Sequence, residues 1–376
     1  QTSNHMITIA KMLKDKSFNI PILIGGAPVN SRHAGYVAMS GQDDTSNILN
    51  NVFYCQSGMD GVNIMNRLKE KKGIVEFFSK NKEDLLNEYK RAKGIKEKRD
   101  ELLSTLPRRV VGFKKHEVPR EGYGLHKVEF KLQKLASEID DKSLFSLNWK
   151  YGKQSSWKDK SIDLSQLKQL KQDWIEKAES NGWITPKARF IILPAQSDGD
   201  DVILYHPENT EKELGRIGFS VCLGKGQKDI FSTAQYFYPK SSGQMDAIGL
   251  QITTAGNVSE KAIEVFKNEN DSESALYLQG LCDRVAEDLA EYIHNLIRLR
   301  AGYKKGKQGQ RYSPGYPALT DLLNNKVIWD ILNAEDLGIQ MTDANEFNPP
   351  STTAAVVCFH GDASYSLFRF EKNHAL

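Results

Sequence analysis

The segment Arg311-Tyr-Ser-Pro-Gly-Tyr-Pro-Ala318 contains the residue types best suited to binding a small ligand. Its guanidinium offers a planar fork of N–H donors that matches a carboxylate or a phosphate. The prolines fix φ and the glycine lets the backbone approach a ligand closely, so the segment predicts a stiff, pre-shaped loop and not a helix or a strand. A surface turn without a ligand is the alternative that composition alone favours.

A second candidate is a polar stripe formed by Asp283, Glu287, Glu291 and His294. Their spacing of i, i+4, i+8 and i+11 places all four on one face of a helix. The stripe could be a wall that faces a ligand, or a solvated helix face. The eight histidines include no His-Glu-x-x-His spacing, and the chain has no Walker or Gly-x-Gly-x-x-Gly motif, so no metal or nucleotide site is predicted.

Composition predicts a folded protein of two or three domains. The chain has 376 residues, of which 39% are hydrophobic and 26% are charged. A net charge of +3 is too small to argue for nucleic acid, and no run of about 18 apolar residues predicts a membrane span. The four cysteines are widely spaced and the start lacks the pattern of a signal peptide, so we expect reduced thiols and a cytoplasmic location.

The first part of the chain alternates strand and helix patterns. Apolar residues predict a helix over 3–16, strands over 20–24 and 52–54, and a helix over 60–71. Such alternation is typical of a doubly wound parallel sheet, although two βα units are fewer than the usual sheet of about five strands. We therefore expect residues 1–72 to form a partial Rossmann-like α/β domain.

A charged, proline-free stretch follows and predicts a helical linker over 73–106. Residues 107–135 look irregular because prolines and glycines interrupt them. Beyond them, strand patterns and two helix patterns occur without regular alternation, which predicts an α+β domain with a mostly antiparallel sheet over 107–376. The predicted helices cover 164–181 and 272–300, and the predicted strands cover 189–193, 202–205, 248–254, 354–359 and 365–370.

The order of these motifs resembles the C-terminal region of cobalamin-dependent methionine synthases. In that family Arg-x-Ala/Ser-x-Gly-Tyr-Pro marks the S-adenosylmethionine (SAM) loop of the reactivation domain, as in the segment that starts at Arg311. Further similar segments are the glycine turn after a strand at 20–27, Leu193-Pro-Ala-Gln-Ser-Asp-Gly-Asp-Asp201, the helix Asp283–His294, and a His-x-Asp-x-x-Tyr segment that ends at Tyr365.

The resemblance implies specific ligand contacts, by matching positions. The implied SAM contacts are Asp140, Glu287, Arg311, Ser313, Gly315, Tyr316, Tyr365 and Ser366; the implied cobalamin contacts are Gly25, Gly26 and Gly58. The sequence departs from the family at Ser366, where an aromatic often stands, and at Lys305 and Lys307, in a region that is often acidic or aromatic. It contains no Asp-x-His-x-x-Gly, the motif that supplies the axial histidine of cobalamin.

By resemblance, the chain is expected to be the SAM-binding reactivation module of a methyltransferase that makes methionine. It would support reductive remethylation of cob(II)alamin, with SAM as the methyl donor. Its expected partners are a flavodoxin-type or flavoprotein reductase electron donor and the rest of methionine synthase, and no nucleic acid or membrane. A non-catalytic ligand-binding or corrinoid-docking module is the alternative. A generic SAM-dependent methyltransferase is disfavoured because no glycine-rich loop follows a first strand.

Overall fold

The computed structural model describes residues 2–26, 29–40, 45–70, 73–113, 117–151, 162–224, 226–303 and 309–364. The chain divides into two compact units, and the boundary falls between Leu106 and Pro107. We call the part up to Leu106 the first unit and the part that begins at Pro107 the second unit.

The first unit is small and contains one short parallel sheet. Its elements are α1 (Thr2–Asp15), β1 (Ile22–Gly25), α2 (Ser31–Met39), β2 (Val52–Cys55), α3 (Gly58–Lys69) and α4 (Ile74–Thr105). Strands β1 and β2 pair in parallel, with Ile22 opposite Val52. The strands β1 and β2 and the helices α2 and α4 share a hydrophobic core that includes Ile24 and Val37. The parallel pair matches the predicted strands, while the partial Rossmann-like domain over 1–72 stays a prediction.

Helix α4 packs against α2 within the first unit. Leu85, Tyr89 and Ala92 are its buried residues, and the remainder of its 32 residues lies at or near the surface. Gly35 of α2 permits the close approach, since a Cβ there would lie 2.7 Å from the Tyr89 backbone nitrogen. The helix predicted over 73–106 is therefore present and contributes side chains to the core of the first unit.

The second unit is built on one large antiparallel sheet. Its elements are β3 (Gly124–Glu129), α5 (Leu132–Leu135), α6 (Asp141–Ser143), α7 (Leu164–Ser180), β4 (Lys187–Asp198), β5 (Asp201–His206), β6 (Asn209–Gly218), β7 (Val221–Leu223), β8 (Ile230–Ser232), β9 (Asp246–Thr254), α8 (Ser259–Asn268), α9 (Ser272–Arg300), β10 (Gln310–Tyr312), α10 (Leu323–Ile331), β11 (Gln340–Met341), β12 (Phe347–Asn348) and β13 (Thr352–Cys358). The order in the seven-stranded sheet is β10-β13-β9-β4-β5-β6, with β3 paired to β4. The predicted α+β class is confirmed.

Apolar side chains cover both faces of this sheet. The α9 face carries a core that includes Leu289, Ile293 and Val357. The opposite face carries a second core that includes Ile328 of α10 and Leu250 of β9. Strand β6 forms one edge of the sheet, and Asn209–Glu213 at its start are exposed. The long strands are fixed by burial on two sides, which is why their sequences read as apolar runs.

Seven of the described strands were not predicted from the sequence, which are β3, β6, β7, β8, β10, β11 and β12. The stretch 107–135, predicted to be irregular, contains β3, and β6 was not predicted at all. Strand β3 alternates half-buried and exposed residues over only six positions and begins with a glycine. Such a short pattern is a weak signal for a strand. Strand β6 is mostly polar because it lies at the sheet edge, where burial does not enforce an apolar pattern.

Candidate functional site

Helix α9 is the element that positions the candidate site. Asp271 caps it by accepting a hydrogen bond from the Ser274 backbone N–H at 3.0 Å. Two buried side chains of β9 fix its register on the sheet: the Gln251 amide donates to the Ala290 carbonyl at 2.9 Å, and the Thr253 hydroxyl donates to the Ala286 carbonyl at 3.0 Å. One edge of the helix thus faces the region of β10 and β13 in a defined register.

The polar stripe of α9 is engaged by neighbouring segments. Asp283 accepts a hydrogen bond from the Ser351 hydroxyl at 2.7 Å. The Glu287 carboxylate lies 3.7 Å from the Arg311 guanidinium. Farther along, the Glu291 carboxylate lies 3.6 Å from the imidazole of His294. Two of the four members, Asp283 and Glu287, therefore contact polar groups of other segments, while Glu291 and His294 lie beside each other within the stripe.

Charges around Glu291 keep this part of the stripe anionic. The His294 imidazole, with weaker contributions from Arg311 and Arg298, lowers the pKa of Glu291. His294 itself is buried, with 3% of its surface exposed, and its ring nitrogens have no hydrogen-bond partner among the described residues. Its burial could not be inferred from the sequence, because helical spacing alone places it with the acids.

Arg311 reaches the helix from the sheet edge. It lies in the three-residue strand β10, where it pairs with Val357 of β13. Its side chain is 21% exposed, compared with 48% for Glu287. The Arg311 guanidinium is thus partly sheltered and can still be reached from solvent.

The predicted loop was wrong at its first two residues, because Arg311 and Tyr312 pair with β13 in strand β10. From Ser313 onwards the segment is a loop, as predicted. Gly315 adopts φ of 87°, a left-handed conformation that glycine tolerates best. Its backbone N–H donates to the Leu319 carbonyl at 2.8 Å, and the Leu319 N–H donates to the Tyr316 carbonyl at 2.8 Å. Ser313 is half-buried, whereas Gly315 and Tyr316 are exposed. The loop therefore presents backbone and one aromatic ring at the surface.

Cys222 and Ser220 hold the far side of this loop. The Cys222 thiol donates to the Pro317 carbonyl at 3.3 Å, and the Ser220 backbone N–H donates to the Ala318 carbonyl at 3.0 Å. These contacts hold the buried side of the loop, and they could not be predicted because residues 220 and 318 are far apart along the chain.

Asp140 lies beside α9, in spite of its distance in sequence. Its side chain caps α6 by accepting from the Ser143 hydroxyl at 2.6 Å and from the Lys142 backbone N–H at 3.1 Å. These hydrogen bonds, that of the Ser143 hydroxyl above all, lower the pKa of the exposed Asp140 carboxyl. Its backbone N–H donates to the Asp288 carboxylate at 2.9 Å. The contact places Asp140 next to the residue that follows Glu287.

Asp288 is a residue that the sequence analysis missed. It is 8% exposed and forms an ion pair with Arg284 one turn earlier, in which Arg284 Nη2 lies 2.8 Å from Asp288 Oδ1. The i, i+4 spacing of Arg284 and Asp288 was the available signal. Its carboxylate joins α9 to the segment of Asp140 and so determines where that segment lies.

Close packing elsewhere on α9 supports the same placement. Gly280 leaves room for Trp149, since a Cβ on Gly280 would lie 2.8 Å from the indole Cδ1. The Trp149 indole N–H donates to the Tyr277 carbonyl at 3.0 Å. The segment from Asp140 to Trp149 is thus attached to α9 at both of its ends.

The structure therefore brings Asp140, Glu287 and Arg311 to α9, with Ser313, Gly315 and Tyr316 on the loop that follows Arg311. Two other implied SAM contacts, Tyr365 and Ser366, lie outside the described residues.

The three glycines implied as cobalamin contacts differ in their surroundings. A Cβ on Gly25 would clash with the Cys55 carbonyl oxygen, so pairing of β1 with β2 is sufficient reason for glycine there. Gly26 has φ of 115°, which a side chain would strain. Gly58 has no atom within 4 Å of the place of a Cβ. All three lie near the carboxyl ends of the parallel strands, where ligands of such sheets bind.

Neither metal chemistry nor a membrane span is indicated by the part of the chain that the structure describes. Within those ranges, no three His, Cys, Asp or Glu side chains are grouped to hold a metal ion. Along the same ranges, no helix combines the length and the apolar character that crossing a bilayer requires.

Comparison with known proteins relates the chain to a protein family and to a solved structure. Residues 131–373 match the model of the family described as "Vitamin B12 dependent methionine synthase, activation domain". The fold is similar to a crystal structure of the MetH reactivation domain bound to AdoHcy, with a TM-score of 0.58 and 21% sequence identity. That alignment covers 69% of this chain and 89% of the other.

Proposed function

Because this chain belongs to the activation-domain family of vitamin B12-dependent methionine synthases, we propose that its second unit binds SAM beside α9 and supports the reductive remethylation of cob(II)alamin. The observation that carries the proposal is the Arg311–Glu287 ion pair, whose two atoms lie 3.7 Å apart. It is bordered by Asp140 on one side and by a glycine-containing loop on the other.

These groups match the charges of SAM. The methionyl part is a zwitterion, so its carboxylate suits the fork of Arg311 and its ammonium suits Glu287. The sulfonium adds a positive charge that favours nearby carboxylates such as Asp140 and the rings of aromatic residues such as Tyr316 and Tyr365. The backbone between Ser313 and Gly315 offers donors and acceptors to adenine, and Ser366 is the remaining proposed contact. The AdoHcy bound in the solved relative is chemically close to SAM, which supports this assignment.

The proposed contribution of the protein to methyl transfer is orientation. Arg311 and Glu287 would hold the two ends of the amino-acid group, and Asp140 would hold the sulfonium side, so that the methyl group points away from the loop. Cobalamin, when bound to the parent enzyme, supplies the nucleophile that accepts the methyl group. No side chain of this chain is proposed to form a covalent bond.

Cobalamin contacts from the first unit are proposed more narrowly. Gly58 has open space where a side chain would lie, and Gly26 has a backbone conformation that requires glycine. Both features fit a close approach of the backbone to a large ligand. Gly25 is proposed with them, although its pairing with Cys55 already explains it. The sequence offers no axial-histidine motif, so these residues would line the ligand and not bind its cobalt.

The proposed partners follow from the reaction. Reduction of cob(II)alamin needs one electron, which a flavodoxin-type protein or a flavoprotein reductase in the cytoplasm would donate. The rest of methionine synthase would supply the homocysteine and folate sites. We accordingly propose a methyltransferase module that makes no methionine from homocysteine and methyltetrahydrofolate by itself.

Titration calorimetry with SAM tests the proposal. The wild-type chain should bind SAM, and Arg311→Ala should weaken binding by about 1.5–3 kcal/mol, because it removes a charged hydrogen bond in a sheltered position. Arg216→Ala is the matched control. Arg216 lies on the edge strand β6 of the same unit and forms ion pairs with Glu213 and Asp198. Its substitution should change SAM affinity by less than about 0.5 kcal/mol.

Two results would count against the proposal. Equal effects of the two arginine substitutions would remove the assigned role of Arg311. The absence of any binding heat for the wild-type chain would instead favour the non-catalytic corrinoid-docking module.

A further inference from the structure

Asp288 of α9 carries a carboxylate that the neighbouring Arg284 holds in one orientation. The residue is buried. Arg284 Nε donates to Asp288 Oδ2 at 2.8 Å, and Arg284 Nη2 lies 2.8 Å from Asp288 Oδ1. Such a two-point contact between planar groups fixes the plane of the carboxylate as well as its position. Asp288 is thus a stiff hydrogen-bond acceptor on the helix.

The backbone N–H of Asp140 uses this acceptor. It donates to the same oxygen, Asp288 Oδ2, at 2.9 Å. Asp140 is the N-cap residue of α6, so its N–H has no partner within that helix. An ionised acceptor makes the hydrogen bond stronger than one between neutral groups. The peptide plane that precedes Asp140 is therefore oriented by α9, the helix that also carries Glu287.

Apolar packing of the same segment does not determine this orientation. Ile139 and Leu144, on either side of Asp140, are buried in the core that lies on the α9 face of the sheet. Apolar burial is non-directional, so these two side chains hold the segment against the helix without fixing the rotation of the peptide between them. The hydrogen bond to Asp288 supplies the direction. Its loss should therefore leave the protein folded while the Asp140 carboxylate changes its orientation.

The Asp140 carboxylate remains available to a cation in this position. It is exposed, and each oxygen of a carboxylate offers two acceptor sites, so the bonds from Ser143 and from the Lys142 N–H leave capacity for a ligand. The Ser143 hydroxyl above all, and the Arg284 charge to a smaller extent, lower the pKa of this carboxyl and keep it anionic. Asp288 pairs with Arg284 and so prevents that guanidinium from binding the Asp140 carboxylate itself.

We propose that Asp288 is a positioning residue for SAM, which directs the Asp140 carboxylate towards the sulfonium and keeps Arg284 away from it. This role rests on the proposed function and adds a residue that makes no contact with the ligand. Because Glu287 and Asp288 are consecutive on α9, one rigid helix sets the separation between the acids proposed for the ammonium and for the sulfonium. Without Asp288, the Asp140 carboxylate samples other orientations, and ordering it again on binding lowers the affinity.

Titration calorimetry of the full chain with SAM and with AdoHcy tests this role. Asp288→Ala should weaken SAM binding about tenfold and AdoHcy binding less than about threefold, because AdoHcy lacks the sulfonium charge that Asp140 is proposed to face. Asp336→Ala is the control, since Asp336 also pairs with a buried arginine, Arg189, in the same unit. Its substitution should change neither affinity by more than about twofold. Equal losses for both ligands, or no loss in a folded Asp288→Ala variant, would overturn the positioning role.

A paired replacement covers the case in which Asp288→Ala does not fold. Arg284→Met combined with Asp288→Leu removes the acceptor without leaving a buried charge, and apolar replacements of buried ion pairs are often tolerated. The net charge of the chain stays the same, so a change of affinity cannot come from the total charge. This variant should bind SAM about tenfold more weakly than the wild type. Wild-type affinity of the folded variant would overturn the positioning role.

Asp288→Asn separates the hydrogen bond from the charge. Its amide oxygen, in the place of Oδ2, still accepts from the Asp140 N–H and from Arg284 Nε. It should bind SAM within about threefold of the wild type. An affinity as low as that of the paired replacement would show that the hydrogen bond to Asp140 is not what matters, and would overturn the positioning role.

A double-mutant cycle shows whether Asp288 acts through Asp140. In an Asp140→Ala background, the paired replacement should cause less than about twofold further loss of SAM affinity, because the carboxylate that it orients is gone. An equal loss in both backgrounds would show independent action and overturn the positioning role. If the wild-type chain binds no SAM, the proposed function fails together with this role. If Asp140→Ala weakens binding while the variants of Asp288 bind as the wild type does, the positioning role alone fails.

Discussion

The two units treat similar apolar patterns in opposite ways. In the second unit, α9 buries Leu289 and Ile293 completely against the sheet. In the first unit, α3 buries none of its residues, and Met59, Val62 and Met65 along one face are 65%, 52% and 42% exposed. Both helices carry apolar residues at helical spacing, yet the apolar face of α9 has a partner surface within its unit and that of α3 has none among the described residues.

The difference separates what forms a helix from what stabilises it. Capping can form α3 locally: Ser57 accepts from the Asp60 backbone N–H, and the Asp60 side chain accepts from the Ser57 N–H. Burial contributes most of the stability of a helix in a folded protein, and α3 lacks it. We therefore expect stability to differ strongly between the units of one chain.

Hydrogen exchange should show the largest effect. Amides in the middle of α9 should exchange only by global opening of the second unit, while amides of β1, β2 and α2 should exchange by local opening that costs at least about 3 kcal/mol less. Mass spectrometry of peptides from both regions measures this difference. Exchange as slow in β1 and α2 as in α9 would break the comparison.

Matched truncations of one apolar side chain in each unit test the same contrast. Leu289→Ala should lower the free energy of unfolding by about 2–5 kcal/mol, because it leaves a cavity in a filled core. Met65→Ala, at a position 42% exposed, should change it by less than about 0.5 kcal/mol. Chemical denaturation of each variant gives the values, and a Met65→Ala cost above 2 kcal/mol would mean that α3 is covered in solution.

Raising the pH from 4 to 7 should lower the stability of the second unit specifically. Burial raises the pKa of Asp246 from 3.8 to about 6, although the Ala247 backbone N–H bonds its carboxyl. Because the pKa of Asp246 is higher in the folded state than in the unfolded state, ionising Asp246 lowers the free energy of unfolding. This loss is absent below about pH 4 and complete above about pH 6, and it amounts to roughly 3 kcal/mol at most. Asp246→Asn should remove this slope, as measured by denaturation at pH 4 and pH 7. If the unfolding free energy of Asp246→Asn depended on pH as strongly as that of the wild type, other groups would be responsible for the dependence.

Two glycines of the first unit should respond in opposite directions. Gly25→Ala forces a Cβ against the Cys55 carbonyl and should cost about 1–3 kcal/mol. Gly58→Ala meets no atom within 4 Å at the first residue of α3 and should stabilise the first unit by up to about 1 kcal/mol. Hydrogen exchange of amides in the first unit measures the free energy of local unfolding and so reports both changes. Destabilisation by Gly58→Ala would indicate that its backbone conformation is constrained in a way not visible from packing.

Much of the fold could be predicted from periodicity. The helix predicted over 272–300 is α9 with the same ends, and four of the five strands predicted in the second unit correspond to β4, β5, β9 and β13. Apolar runs in buried strands and a wide apolar stripe on a long helix are strong local signals. The fifth predicted strand, over 365–370, lies outside the described residues.

Polar and edge elements could not be predicted in the same way. Strand β6 carries charges at most of its exposed positions, so only its hydrogen bonds to β5 define it. For the candidate site, the residues came from the resemblance, whereas their arrangement came from the structure. Asp288 bonds Asp140 across 148 positions of sequence, and no local pattern reports such a contact.

The edge formed by β6 has a consequence for how the protein behaves at high concentration. An unpaired strand edge is a template on which a second chain can add, and long apolar edges lead to aggregation. Here the edge begins with Asn209-Thr-Glu-Lys-Glu213, and Arg216 further along binds the carboxylates of Glu213 and Asp198. Adding a strand would require these charges to be desolvated or the ion pairs to be broken. The charged side chains of β6 thus oppose edge-to-edge association, so that the sheet ends at this strand.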